Sequence, residues 1–178
     1  MTSPHDALFR FVFGDLEHAR GLLASALPRA VAASIDWSTL ERLPEPHVDE
    51  RGRERVCDLL FRCTLHSGRR LLLYVVLEHK SEGRRFDVLQ MLDQVVAVLK
   101  EHRRRHPDDA FLPAVMPVIV HVGDRVWTAP VSLADLFDLA ALPADVARHL
   151  PALTIRLDDV QRVGEQDLRG RALSLAGL

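Results

Sequence analysis

Lysine is nearly absent from this chain. Of its 23 basic residues only Lys80 and Lys100 are lysines, and the rest are arginines. Lysine is therefore not a routine surface charge here, which makes Lys80 hard to dismiss. Cysteine is scarce too. Cys57 and Cys63 stand six apart in one stretch that reads as extended, too far to bridge, and they match no zinc or redox spacing. Both read as small core residues in a reducing compartment. The longest apolar run, Leu71 to Leu77, is far shorter than the roughly 20 residues of a membrane span. The opening MTSPHDALFR has no apolar stretch of the kind a secretory leader carries. Cytoplasm is the expected location, with no membrane contact. An excess of one charge sign is also missing: the net charge of -2 excludes a uniformly basic coat but allows a local basic site. No glycine-rich phosphate loop and no Ser/His/Asp or Cys/His nucleophile pattern stands out.

What remains is ordinary for a globular protein: 48% hydrophobic and 27% charged residues in a chain of 178, enough to bury a core. A single domain is expected over 1–178, with its core at about 5–140. The last stretch, EQDLRGRALSLAGL, reads as a helix without a stop signal, as in a chain cut from a longer one. Ser3-Pro4-His5-Asp6 reads as a helix start, with apolar residues at 7, 8, 11 and 12 and a stop near Gly14. Asp15 caps a second helix whose face carries Leu16, Ala19, Leu22, Leu23 and Ala26, ended by Pro28. A helical turn near 29–33 and a strand around 38–43 follow.

RERVCDLLFRCTL (53–65) alternates as a strand, Ser67-Gly68 turns the chain, and 70–80 returns as a strand apolar on both faces. A long helix spans about 84–104 on Val88, Met91, Leu92, Val95, Val96 and Leu99. AVMPVIVHVG (114–123) is another apolar strand, and a short helix is expected from Ser132 to about Leu139. The order helix, strand, strand, strand, helix, strand makes this an α/β sandwich with a central mixed β-sheet flanked by helices.

The run LLLYVVLEHKSEG (71–83) is the most apolar of the chain, yet it ends on Glu78, His79 and Lys80. Residues two apart on a strand share a face, so Glu78 and Lys80 project together and His79 points away. A hairpin centred on Gly68 pairs Asp58 with Glu78 and sets two carboxylates about 5 Å apart between Cβ atoms. Such a pair repels unless a cation intervenes, and Mg²⁺ (or Mn²⁺) favours one or two carboxylates with waters and phosphate oxygens. Lys80 stands where it could hold a water bound to that ion. The bland alternative is a strand leaving the core on a surface Glu78–Lys80 pair worth under about 1 kcal/mol. That reading gives Asp58 no part.

These residues carry a resemblance. Asp58 followed by Glu78-x-Lys80, within helix, three strands, helix, strand, resembles the PD-(D/E)xK nuclease superfamily. HDALFRFVFGDLEHARGLLASALP (5–28), DLLFR (58–62), LYVVLEHKS (73–81) and MPVIVHVGDRVW (116–127) resemble one branch of it, the recombination-promoting nuclease or YhgA-like transposase family. Many members carry Gln where this chain has Lys80. The resemblance implies a restriction-endonuclease-like three-layer sandwich and a DNA endonuclease of recombination or transposition using Mg²⁺ or Mn²⁺. It implies Asp58, Glu78 and the backbone carbonyl of His79 as metal ligands, and Lys80 as the residue that positions the attacking water. DNA is the expected partner, and a homodimer is a compatible assembly. Arg84 and Arg85 follow the catalytic strand and are placed to meet phosphates. Gln90, one helical turn from Gln94, faces solvent or DNA rather than metal. A module that keeps the nuclease fold for DNA or protein binding with little catalysis is the alternative. His102 and His106 have metal-like spacing, but Pro107 ends the helix at once and no glutamate follows the first histidine.

Overall fold

The computed structural model describes residues 15–44, 58–78, 83–122 and 125–162. The first expected helix, Cys57, the HKSE segment after Glu78 and the expected C-terminal helix lie outside them. Helix α1 (Leu16–Ala26) starts where expected, because the Asp15 carboxylate accepts from the N–H groups of Glu17 and His18 at 2.9 and 3.2 Å. Its buried residues Ala19, Leu22, Leu23 and Ala26 recur at helical spacing. The short helix α2 (Arg29–Ser34) leads straight into strand β1 (Ile35–Leu43), which begins three residues before the expected start near 38.

Strands β2 (Asp58–Leu65) and β3 (Arg70–Glu78) form the expected hairpin. Helix α3 (Asp87–Arg105) then crosses to β4 (Ala114–His121), and a short β5 (Arg156–Asp159) completes the sheet. The strand order is β1-β2-β3-β4-β5. β1, β2 and β3 pair antiparallel, while β4 runs parallel to both β3 and β5, so the sheet is mixed.

Two apolar clusters lie on opposite faces of this sheet. Leu59, Phe61, Cys63, Leu71, Leu73, Val75, Val118 and Val120 pack with α1. Leu60, Leu72 and Ile119 pack with Val88, Met91 and Val98 of α3, together with Trp127, Leu133 and Ile155. Helices thus cover both faces, and the α/β three-layer sandwich follows. On α3 the buried stripe is Val88, Met91, Val95 and Val98. Val96, expected inside, is exposed: it follows Val95 by 100° and leaves the stripe on the solvent side.

Two expectations need correcting. The helix expected from Ser132 to Leu139 is instead a 3₁₀ turn at Leu133–Leu136 and another at Leu139–Ala141. The backbone here pairs with the chain further on: Leu133 N–H donates to Leu153 O at 2.9 Å, and Ile155 N–H to Val131 O at 2.8 Å. That pairing delivers β5 to the sheet edge, so the sheet reaches past the core boundary expected at about 140. β5 went unforeseen because four residues, Arg-Leu-Asp-Asp, show neither apolar alternation nor a turn signal.

The second correction is the hairpin register. Asp58 pairs with Val76, not with Glu78. Leu65 N–H donates to Arg69 O at 2.8 Å, which leaves His66-Ser67-Gly68 as a three-residue loop. Gly68 takes φ +81° at the last loop position, as such loops require of the residue that closes them. The hairpin is therefore centred on Ser67. The two-residue offset preserves the face, since side chains alternate with period two.

Candidate active site at the ends of the central strands

Asp58 opens β2 and Glu78 closes β3, so both stand at one end of the sheet. With Asp58 opposite Val76, Asp58 and Glu78 occupy the same face as diagonal neighbours, roughly 7–8 Å apart rather than 5 Å. This is the α3 face, shared with Leu60 and Leu72. His79 and Lys80 lie outside the described residues.

The register continues across the parallel strands. Glu78 pairs with His121, and His121 with Asp159. Neighbouring strands lie about 4.8 Å apart, so three titratable residues stand in one row at the C-terminal ends of β3, β4 and β5. Sequence reasoning passed over His121 and Asp159. A signal existed: VVLE and VIVH are both apolar runs closing on a titratable residue.

His121 is fully buried and Asp159 is nearly so. The His121 ring meets the Trp127 indole edge to face, with centroids 5.3 Å apart. Its Nε2 lies 2.8 Å from the carbonyl of Arg125, which can only accept, so Nε2 carries the proton of that bond. The Asp159 Oδ2 accepts from Trp127 N–H at 2.9 Å and pairs with Arg162 Nε at 3.2 Å. Two buried atoms beside these bonds have no hydrogen-bond partner, His121 Nδ1 and Asp159 Oδ1.

Trp127 also packs on Gly83, the first described residue after β3. Its Nε1–H donates to Ala129 O at 2.9 Å, and its ring lies against the backbone of Gly83. A Cβ on Gly83 would sit 2.4 Å from Trp127 Cζ2. Gly83 is therefore pressed onto a buried indole.

Arg84 and Arg85 are exposed ahead of α3, where the Arg84 N–H donates to Asp87 Oδ2 at 2.7 Å. Gln90 is exposed on α3, away from the stripe that packs on the sheet, whereas Gln94 is half-buried. Of the pair, Gln94 stands closer to the sheet. His102 and His106 stack at 4.7 Å, and His102 Nε2 lies 3.2 Å from Asp109 Oδ2, which also binds Arg70 at 3.0 Å. These contacts tie the end of α3 to the start of β3.

Among the described residues, no group of three or more His, Cys, Asp or Glu side chains is placed to hold a metal ion. The side chains of Asp58 and Glu78 are not among those described. Nor is any helix among the described residues long and apolar enough to cross a membrane.

The chain is 29% identical over 169 residues to the recombination-promoting nuclease RpnA of Escherichia coli (strain K12), covering 94% of this chain and 55% of that protein. It is 28% identical over 149 residues to the recombination-promoting nuclease RpnC of the same strain, covering 84% and 48%. A further relative there, named inactive recombination-promoting nuclease-like protein RpnE, is 25% identical over 168 residues, covering 94% and 54%. The chain thus spans about half the length of these curated relatives. No solved structure matches it. The family described as "Putative transposase, YhgA-like" matches residues 3–176, nearly the whole sequence, and the chain belongs to that family.

Proposed function

We propose that this chain is the nuclease domain of a metal-dependent DNA endonuclease acting in recombination or transposition. One observation carries the reading: Asp58 and Glu78 share a face as diagonal neighbours at one end of the sheet. A cation between two carboxylates at one end of the sheet would relieve their repulsion. The buried unpartnered atoms His121 Nδ1 and Asp159 Oδ1, in the next two positions of the row, fit a site built of acceptors. The names of the relatives RpnA and RpnC agree.

Mg²⁺ or Mn²⁺, when bound, would lower the pKa of a coordinated water and neutralise charge developing on the phosphate. The chain's own groups do the rest. Asp58 and Glu78 would hold the ion, with the His79 carbonyl as a further oxygen ligand. Lys80 hydrogen-bonds the attacking water and offsets negative charge on the phosphate as the bond to the leaving oxygen lengthens. Arg84 and Arg85 take flanking phosphates, which fixes the strand without reading sequence. Gln90, exposed on α3, contacts the duplex rather than the ion. The cytoplasm, where its DNA substrate lies, is the proposed location, and a homodimer would bring two such sites to one duplex.

A plasmid-nicking assay tests this. Supercoiled DNA should be nicked with Mg²⁺ or Mn²⁺, not with EDTA, and not by Asp58→Asn or Glu78→Gln. Nicking that survives both substitutions would refute the assignment. The second reading, a nuclease-like module that binds DNA or protein with little catalysis, is favoured by one relative being named inactive. It predicts DNA retention without nicking under every metal condition.

A further inference from the structure

We propose that His121 is a ligand of the cation held at Glu78, binding it through Nδ1 and making this a mixed nitrogen–oxygen site. The inference rests on the Asp58/Glu78 reading and goes beyond it. His121 is the register partner of Glu78 on the adjacent parallel strand, so the two residues occupy the same face about 4.8 Å apart along the sheet. The ring is fully buried, which rules out bulk water as the partner of its second nitrogen.

The hydrogen bonding sets the tautomer. Nε2 donates to the Arg125 carbonyl at 2.8 Å, so the neutral ring carries its lone pair on Nδ1. That atom has no partner. Histidines that bind metals commonly donate the other N–H to a backbone carbonyl or carboxylate, which fixes ring orientation and raises ligand basicity. Nε2 and the Arg125 carbonyl already form that supporting bond. The Trp127 indole packs against the ring at 5.3 Å and restricts its rotation.

The next position of the row strengthens the case. Asp159 Oδ2 is occupied by Trp127 N–H and Arg162, yet its Oδ1 is buried and unpartnered. Two buried acceptors, His121 Nδ1 and Asp159 Oδ1, therefore stand on adjacent strands with no donor between them. A cation at Glu78, with Asp159 Oδ1 accepting from one of its waters, satisfies both. A lone buried water donating to both atoms is the competing occupant.

An imidazole ligand has a chemical consequence. Mg²⁺ takes oxygen ligands almost exclusively, whereas Mn²⁺ and later transition ions accept imidazole nitrogen. The site should therefore favour Mn²⁺, and that preference should depend on His121. Pulsed electron paramagnetic resonance of the Mn²⁺-loaded full chain tests this on the wild-type protein, without reliance on any variant folding. A nitrogen coupling typical of directly bound imidazole is expected, lost in His121→Phe and kept in His79→Ala. By calorimetry His121→Gln should weaken Mn²⁺ by at least about tenfold and Mg²⁺ by much less. If Mn²⁺ binds, and binding falls in Asp58→Asn, but the spectrum shows no imidazole nitrogen, the His121 assignment is wrong. The Asp58/Glu78 reading then stands, with a water between His121 and Asp159. If the wild-type chain binds no ion at all, both fall together.

Discussion

Two residues with contrasting environments give the sharpest tests. Lys80, one of only two lysines, is proposed to touch water and phosphate rather than the ion. Lys80→Ala should therefore keep Mn²⁺ binding and lose rate, and loss of a nearby positive charge can tighten the ion. Lys80→Gln should retain part of the activity, because an amide still orients a water although it cannot take its proton. Nicking rates beside calorimetric Mn²⁺ titration decide it, and wild-type cleavage by Lys80→Ala would remove Lys80 from the mechanism. Cys63 is the opposite case, a titratable group with a purely structural role. It is fully buried, its thiol contacts Leu71 O at 3.7 Å, and burial pushes its pKa up to about 11. A neutral thiol is thus favoured by folding. Its contribution is fully present below the unfolded thiol pKa of about 8.5 and is lost as pH rises through about 11. In a Cys57→Ser background, thiol labelling at pH 8 should be slow when native and fast in denaturant. Cys63→Ser should flatten the fall of stability above pH 9.

At the scale of elements, the contact between Gly83 and Trp127 is the critical joint. Gly83 lies against Trp127 so closely that a methyl group would sit 2.4 Å from the ring. Trp127 is itself buried and bonded through Nε1 to Ala129 O, so it has little room to yield. Gly83→Ala should cost about 1–3 kcal/mol as an overpacking change. It should also lower nicking more than stability alone explains, because Lys80 lies only three residues before Gly83 in the chain. A melting temperature and rate both at wild-type values would show the contact to be loose. On the opposite face of the sheet, Asp15→Ala should cost about 1 kcal/mol by removing the cap of α1, with no effect on metal binding.

For the molecule as a whole, the site and the fold should pull in opposite directions. If Asp58 and Glu78 hold a cation as proposed, their repulsion should oppose folding when none is bound, as groups kept for function often do. Asp58→Asn should leave the ion-free melting temperature unchanged or raised while abolishing nicking. Bound Mn²⁺ should reverse the balance. At a hundred times its dissociation constant an ion adds about 2.7 kcal/mol, which for a domain of this size shifts melting by roughly 5–10 °C. That shift should be absent in Asp58→Asn. A large loss of melting temperature in Asp58→Asn without metal would instead mark Asp58 as structural. Because the chain spans about half of its relatives' length, the full-length relatives are the right comparison for DNA affinity. Nicking by this chain alone would locate the chemistry within it.

By itself the sequence determined the elements whose signals are local. The Asp15 cap, the apolar stripe of α1, the β2–β3 hairpin, the doubly apolar central strand and helix α3 each follow from spacing over a few residues. It also determined that Asp58 and Glu78 share a face, since strand alternation survives a two-residue change of register. Their separation was not legible, because it depends on whether Gly68 sits at the middle or the end of its loop, a matter of backbone torsion. β5 was hidden for a different reason. Four residues, two of them aspartates, become a strand only because the 131–133 and 153–155 segments pair and lay them beside β4. His121 and Asp159 are the larger lesson. They lie 43 and 81 residues from Glu78 in the chain, and only the parallel pairing of three strands brings them into one row. Burial then strips water from His121 Nδ1 and Asp159 Oδ1, and a need for a partner arises that no local pattern encodes.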